Sequence, residues 1–152
     1  MLNQNYNLMK IKQLKTKHKK FDDFKMKEWK LVHPEHYGVE FDEDYWDTKH
    51  LYLEAVDGRK IVGALVGVYV AGVLYIDELI TKHTHRGKGI GKTLLETAEE
   101  WVRKRKGHEL YLATGTKWQA RDFYSNLGYK LAANMPKHYS KADFVLLRKF
   151  LD

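Results

Sequence analysis

The sequence predicts a mixed α/β (α+β) domain in which helices pack on the faces of one β-sheet. Three observations predict it. The 152 residues, 43% of them hydrophobic, suffice for one core and suit a single domain over residues 1–152. Strand-like runs follow one another closely between residues 50 and 81. From Gly89 onward the apolar period lengthens from two residues to that of a helix.

The elements follow in order. Leu8–Leu14 (LMKIKQL) alternates apolar and polar residues and reads as a first strand. Between Lys19 and Val32, Phe21, Phe24, Met26, Trp29 and Val32 recur at helical spacing, predicting an amphipathic helix that ends before Pro34. Glu35 to Asp47 is acidic and aromatic without a clear period, and reads as a loop or short helix. His50–Val56, Lys60–Val70 and Val73–Thr81 form a three-strand meander, joined at Asp57-Gly58 and Ala71-Gly72. Ile90, Leu94, Leu95, Ala98, Trp101 and Val102 then share one helical face, and Gly107 stops that helix after a basic last turn. His108–Thr114 reads as a strand and Lys117–Leu127 as a short helix closed by Gly128. A further strand follows, and Asp143–Leu151 reads as the last. The order β-α-β-β-β-α-β-α-β-β implies one mixed sheet.

Composition excludes several function classes. With no cysteine, the chain has no disulfide scaffold, thiolate zinc site or covalent cysteine mechanism. Ser125 and Ser140 are the only serines, and neither lies in the G-x-S-x-G turn of a serine hydrolase. No segment approaches the roughly 20 apolar residues of a membrane span. The N-terminus lacks a signal pattern, so a soluble cytoplasmic protein is the default expectation. The net charge of +7 is segregated: residues 1–30 and 82–106 are basic, whereas 35–57 are acidic. Such segregation suits ligands of opposite charge or an ordinary solvated surface. The basic start carries no aromatic RNA-binding signature, which disfavours a nucleic-acid partner.

The most informative segment is His85-Arg-Gly-Lys-Gly-Ile-Gly-Lys92, between a strand and a well-formed helix. Gly87, Gly89 and Gly91 let the backbone turn tightly and approach a ligand closely. A turn of this kind presents backbone N–H groups at a helix N-terminus, where anions are favoured, and Arg86, Lys88 and Lys92 add positive charge. The physical reading is a phosphate cradle. A P-loop would need glycine where Arg86 stands, and the dinucleotide fingerprint fails because position 92 is lysine.

Arg86-x-x-Gly89-x-Gly91 resembles the acetyl-CoA signature (R/Q-x-x-G-x-G/A) of the GCN5-related N-acetyltransferases. Ala120-x-x-Phe123-Tyr124-x-x-x-Gly128-Tyr129, about 30 residues later, is similar to that family's A-x-x-L/F-Y-x-x-x-G-F ending. The resemblance extends over nearly the whole chain. It implies a central, mostly antiparallel twisted sheet of about seven strands flanked by helices. It also implies acetyl-CoA as co-substrate, no metal and an amine acceptor. The backbone of Leu79, Ile80 and Thr81 would pair with the pantetheine arm, as an added strand does. Backbone N–H groups across Arg86, Gly87, Lys88, Gly89, Ile90 and Gly91, helped by Lys92, would hold the pyrophosphate. The family splays the strand ending near Thr81 from the one starting near His108, and the cofactor enters that gap. Where the family often has asparagine, this chain has Lys117, which either reaches a CoA phosphate or is simply solvated.

Acetyl transfer needs an acceptor amine without its extra proton. An amine of pKa near 10.4 is neutral in only about one molecule in 10³ at pH 7. Tyr124 is the candidate proton donor to the departing thiolate, since the family places this tyrosine beside the cofactor sulfur; otherwise it is core. Asp77 and Glu78 are the candidate bases; strand alternation is expected to send them to opposite faces, and the choice between them stays open. Tyr37, Glu40, Phe41, Asp42, Tyr45 and Trp46 suggest an acceptor wall for a small cationic amine, polyamine-like, or a peptide amine. Pro136-Lys-His138-Tyr139 either lines that cleft or is a surface loop. His83-x-His85 lacks a third metal ligand nearby. The alternative function is a non-catalytic CoA-binding sensor. A homodimer is compatible with the sequence, which leaves the oligomeric state open.

Overall fold

Residues 9–152 are described in a computed structural model. The chain divides into two compact units, the first ending at Asp42 and the second running from Glu43 to Asp152.

In the first unit, helix α1 spans Lys19–Tyr37. The His18 ring caps its start by accepting from the Phe21 N–H. Contrary to the sequence expectation, the helix runs through Pro34. That proline forfeits one backbone hydrogen bond, yet the last turn is tied down by other means. Buried His33 stacks on Tyr37 at 4.6 Å, meets Phe41 edge-on at 5.4 Å and donates from Nδ1–H to the Val39 carbonyl at 2.8 Å. Gly38, left-handed at φ +70°, closes the helix by donating to the Pro34 carbonyl.

The expected first strand is not formed. Leu8 lies outside the described residues, and residues 9–14 pair with nothing as a strand. Met9 and Ile11 stand 84% and 85% exposed. Alternation gives a segment two faces, but only a partner strand satisfies its backbone groups. Among the described residues the sheet therefore has six strands rather than about seven.

In the second unit, α2 (Glu43–Trp46) precedes β1 (Lys49–Asp57), β2 (Lys60–Val70) and β3 (Val73–Thr81). Helix α3 (Ile90–Arg103), β4 (Glu109–Gly115), α4 (Ala120–Asn126), β5 (Lys130–Met135) and β6 (Phe144–Phe150) follow. The strand order is β1-β2-β3-β4-β6-β5, antiparallel throughout except for β3 with β4. Both meander turns lie where the turn dipeptides predict. At the second, Ala71 and Gly72 both take positive φ, as a two-residue hairpin requires.

The core lies between the sheet and α3. Leu94, Leu95, Ala98 and Val102 of that helix are buried with Leu65, Leu74, Ile76, Leu110, Leu112, Val145 and Leu147 of the strands. Close approach depends on Gly63, where a Cβ would lie 2.6 Å from Ile90 Cγ2. A partly buried ion pair closes the far side of α3. Lys149 Nζ donates to Glu99 Oε1 at 2.8 Å, and Arg103 lies 3.8 Å from the same carboxylate.

Candidate active site

The site starts where a parallel pair comes apart. β3 and β4 are in register from Val73↔Glu109 to Ile76↔Leu112 and no further, although β3 continues to Thr81 and β4 to Gly115. A bulge in β3 begins the separation. Val66 of β2 pairs with Glu78 and Gly67 with Ile76, so Asp77 is the extra residue. The bulge shifts the phase of the strand. Leu74 and Ile76 face the core before it, and Leu79 packs against the core after it. Asp77 and Glu78, between them, are both exposed. The expectation that alternation sends them to opposite faces is thus corrected: an inserted residue leaves both carboxylates on the side away from α3.

Beyond Thr81 a 3₁₀ turn, His83–His85, leads into the glycine loop. Gly87 and Gly89 take φ +76° and +79°, and a Cβ on either would meet nothing within 4 Å. Conformation, not crowding, demands glycine there. Gly89 caps α3 without a side-chain hydrogen bond, and the first intrahelical bond runs from the Thr93 N–H to its carbonyl. The N–H groups of Ile90, Gly91 and Lys92 accordingly have no acceptor within the helix. Gly91 answers to space: its Cβ would lie 3.1 Å from Phe123 Cζ.

These elements bound a cleft of about 700 Å³. It is lined by Leu79, Ile80, Thr81, Arg86, Gly87, Gly89, Ile90 and Gly91, all singled out from the sequence. His85, Thr114, Trp118, Gln119, Ala120 and Phe123 complete it. The contributions of Thr114 and Gln119 were not visible in the sequence; the only trace was a threonine closing the apolar run LYLAT before Gly115. Trp118 reaches the cleft because Gly115 lacks a side chain, since a Cβ there would collide with the indole. His85 Nε2 lies 3.5 Å from Asp57 Oδ2, and its Nδ1 lies 3.0 Å from the Thr84 hydroxyl.

The remaining candidates lie apart. Lys88 lines a separate groove of about 260 Å³ with Glu54 and Thr97. Lys92 sits 3.8 Å from Glu96, and Lys117 is exposed and does not line the cleft. Tyr124 is buried behind Phe123, its ring edge-on to Phe123 at 5.1 Å and to Tyr129 at 5.8 Å. Burial pushes the Tyr124 phenol up to about 12. Tyr45 is held at the opposite end of β3 from the glycine loop, its hydroxyl donating to the Ala71 carbonyl at 2.9 Å. Among the described residues no three His, Asp or Glu side chains stand close enough to hold a metal, and no helix is long and apolar enough to cross a membrane.

Residues 18–129 match the family model of the Acetyltransferase (GNAT) family. The chain belongs to that family. A GNAT relative, an uncharacterized N-acetyltransferase of Methanocaldococcus jannaschii, is 31% identical over 99 residues, covering 63% of this chain and 62% of the relative. The match thus spans less than two thirds of the relative's length. The GNAT fold also appears in solved structures. An acetyltransferase from Bacillus cereus superposes with a TM-score of 0.67 at 20% identity, covering 92% of this chain and 98% of that one. A Bacillus subtilis acetyltransferase, solved in complex with CoA, gives 0.60 at 20% identity over 65% and 75% of the two chains.

Proposed function

We propose that this protein is an acetyl-CoA-dependent N-acetyltransferase that moves the acetyl group directly to a primary amine. The supporting observation is the start of α3, where Gly89 makes no side-chain cap bond and the first backbone donors have no acceptor within the helix, beside the cleft at the β3–β4 splay. A diphosphate fits that start, because Gly87 and Gly89 present no Cβ and Arg86 supplies a cation. The unpaired edge of β3 at Leu79, Ile80 and Thr81 fits the amide-bearing pantetheine arm. The CoA complex of the Bacillus subtilis relative supports the same cofactor. Lys88, Lys92 and Lys117 serve in this reading as outer cations rather than lining groups.

The chemistry proceeds in three moves. The acceptor ammonium gives its proton to Asp77 or Glu78, directly or through water. The free amine attacks the thioester carbonyl, forming the C–N bond. The C–S bond then breaks as Tyr124 gives its proton to the CoA thiolate, and the attacking nitrogen sheds its second proton to water, from which Tyr124 is reprotonated. A phenol near 12 keeps that proton at neutral pH, as a donor must. The test is thiol release from acetyl-CoA across a panel of amines and peptides. Amine-dependent release supports the reading, and its absence across the panel contradicts it.

A further inference from the structure

The sheet face turned away from α3 carries a run of aromatic rings that leads out of the cofactor cleft. Trp118, which lines the cleft, meets Phe144 at 5.2 Å, and Phe144 meets Tyr139 at 5.4 Å. Tyr139 stands beside the Tyr75 phenol, and Tyr75 lies 4.9 Å from Tyr111, its register partner across β3–β4. The turn bearing Tyr139 is fixed in place: Asp143 Oδ1 accepts from the Lys137 N–H at 2.9 Å, and Ser140 and Lys141 take positive φ.

The two ends of this run differ in charge. At one end the β3 bulge exposes Asp77 and Glu78, with Asp77 near enough to act on the Tyr75 phenol. At the other, Arg148 of β6 pairs in register with Tyr111, so the two share a face, and its guanidinium lies 4.7 Å over the Phe150 ring. Tyr75 itself adds no charge at neutral pH. Burial foremost, then Tyr139, Asp77 and Tyr111, hold its phenol up at about 12.

We propose that this surface selects the acceptor, and that it selects a monoamine whose single ammonium is joined by a short chain to an aromatic or other apolar body. The inference rests on the acetyltransferase reading above and names its substrate class. Asp77, beside the Tyr75 ring, suits one cation. The tyrosines beyond it offer ring surface to cover an apolar body. A second ammonium carried along the run toward β6 would face Arg148, so polyamines are disfavoured. Recognition thereby moves to residues 75–148, away from Tyr45 at the far end of β3.

The experiment compares 2-phenylethylamine with putrescine at saturating acetyl-CoA, following thiol release, with cofactor binding measured separately by calorimetry. We expect kcat/KM for the aryl amine to exceed that for the diamine about tenfold or more. Tyr139→Ala should raise KM for the aryl amine about tenfold and leave kcat nearly unchanged, with Tyr139→Phe restoring most of the loss. Arg148→Ala should lower KM for putrescine only. Equal use of the two amines, or an unmoved KM in Tyr139→Ala, with cofactor binding intact, overturns the inference alone. Failure to bind acetyl-CoA overturns the acetyltransferase reading and this inference with it.

Discussion

Ile76 and Leu112 are the last paired residues of β3 and β4, the only parallel neighbours among the described residues, and the cleft opens immediately beyond them. Leu79, Ile80 and Thr81 are thereby left with one edge of β3 free of β4. Unpaired backbone beside an uncapped helix start is costly unless a ligand or water satisfies it. The separation of two strands and the phosphate-binding turn are thus one device, set up by the bulge at Asp77.

Gly91 backs directly onto Phe123, leaving 3.1 Å between the position a Cβ would take and the ring Cζ. Gly91→Leu should therefore crowd the cleft and reduce acetyl-CoA affinity by a factor of about ten or more. Calorimetric titration of the folded variant checks this. Unchanged affinity would separate the cleft from cofactor binding.

Tyr124→Phe removes only a hydroxyl from a buried ring. The expected result is a fall in kcat of about 10²–10⁴-fold, the range typical of general acid–base groups, with acetyl-CoA affinity retained. Steady-state kinetics beside calorimetry read both quantities. A kcat within about twofold of the parent would assign Tyr124 to packing alone.

The same phenol makes stability depend on alkaline pH. Its folded value of about 12 lies above the ordinary 10.0, so the unfolded chain releases the proton first. The contribution is full below pH 10 and is lost progressively between about pH 10 and 12. It amounts to about 3 kcal/mol, at 1.36 kcal/mol per unit. Buried Tyr129, also held up by burial first and by Glu99, acts in the same direction. Urea denaturation from about pH 8 to 11.5 should show a shallower alkaline decline in Tyr124→Phe than in the parent.

Glu99 is buried, and Lys149 is its closest partner at 2.8 Å. Lys149→Met leaves that carboxylate with the more distant Arg103, 3.8 Å away, as its cation. Removing one member of this partly buried pair should cost about 1–3 kcal/mol, and a further Glu99→Gln change should recover much of it. Chemical denaturation of the single and double variants measures both effects.

Much of the fold was legible in the sequence. The β1–β2 and β2–β3 turns form where Asp57-Gly58 and Ala71-Gly72 stand, because such dipeptides supply the positive φ of tight turns. α3 was visible because Leu94, Ala98 and Val102 recur at helical spacing. The bulge was not, since a period of two cannot register one extra residue whose presence shows only in its neighbour's pairing. The strand expected at Leu8–Leu14 failed for a related reason: alternation describes a segment, whereas a sheet needs a partner. Pro34 ended the predicted helix too early because a rule about proline does not register the ring contacts of His33 with Tyr37 and Phe41 or the Gly38 cap that hold the last turn. At the site, the glycine loop announced its own geometry. The indole of Trp118 did not, because it reaches the cleft over Gly115 only in the folded chain.

Titration of the protein with acetyl-CoA, alongside Arg86→Ala and Gly89→Val variants, tests the central claim most directly. Saturable one-to-one binding that weakens about tenfold or more in both variants is the predicted result. No heat from the parent protein, or equal affinity in parent and variants, would contradict it.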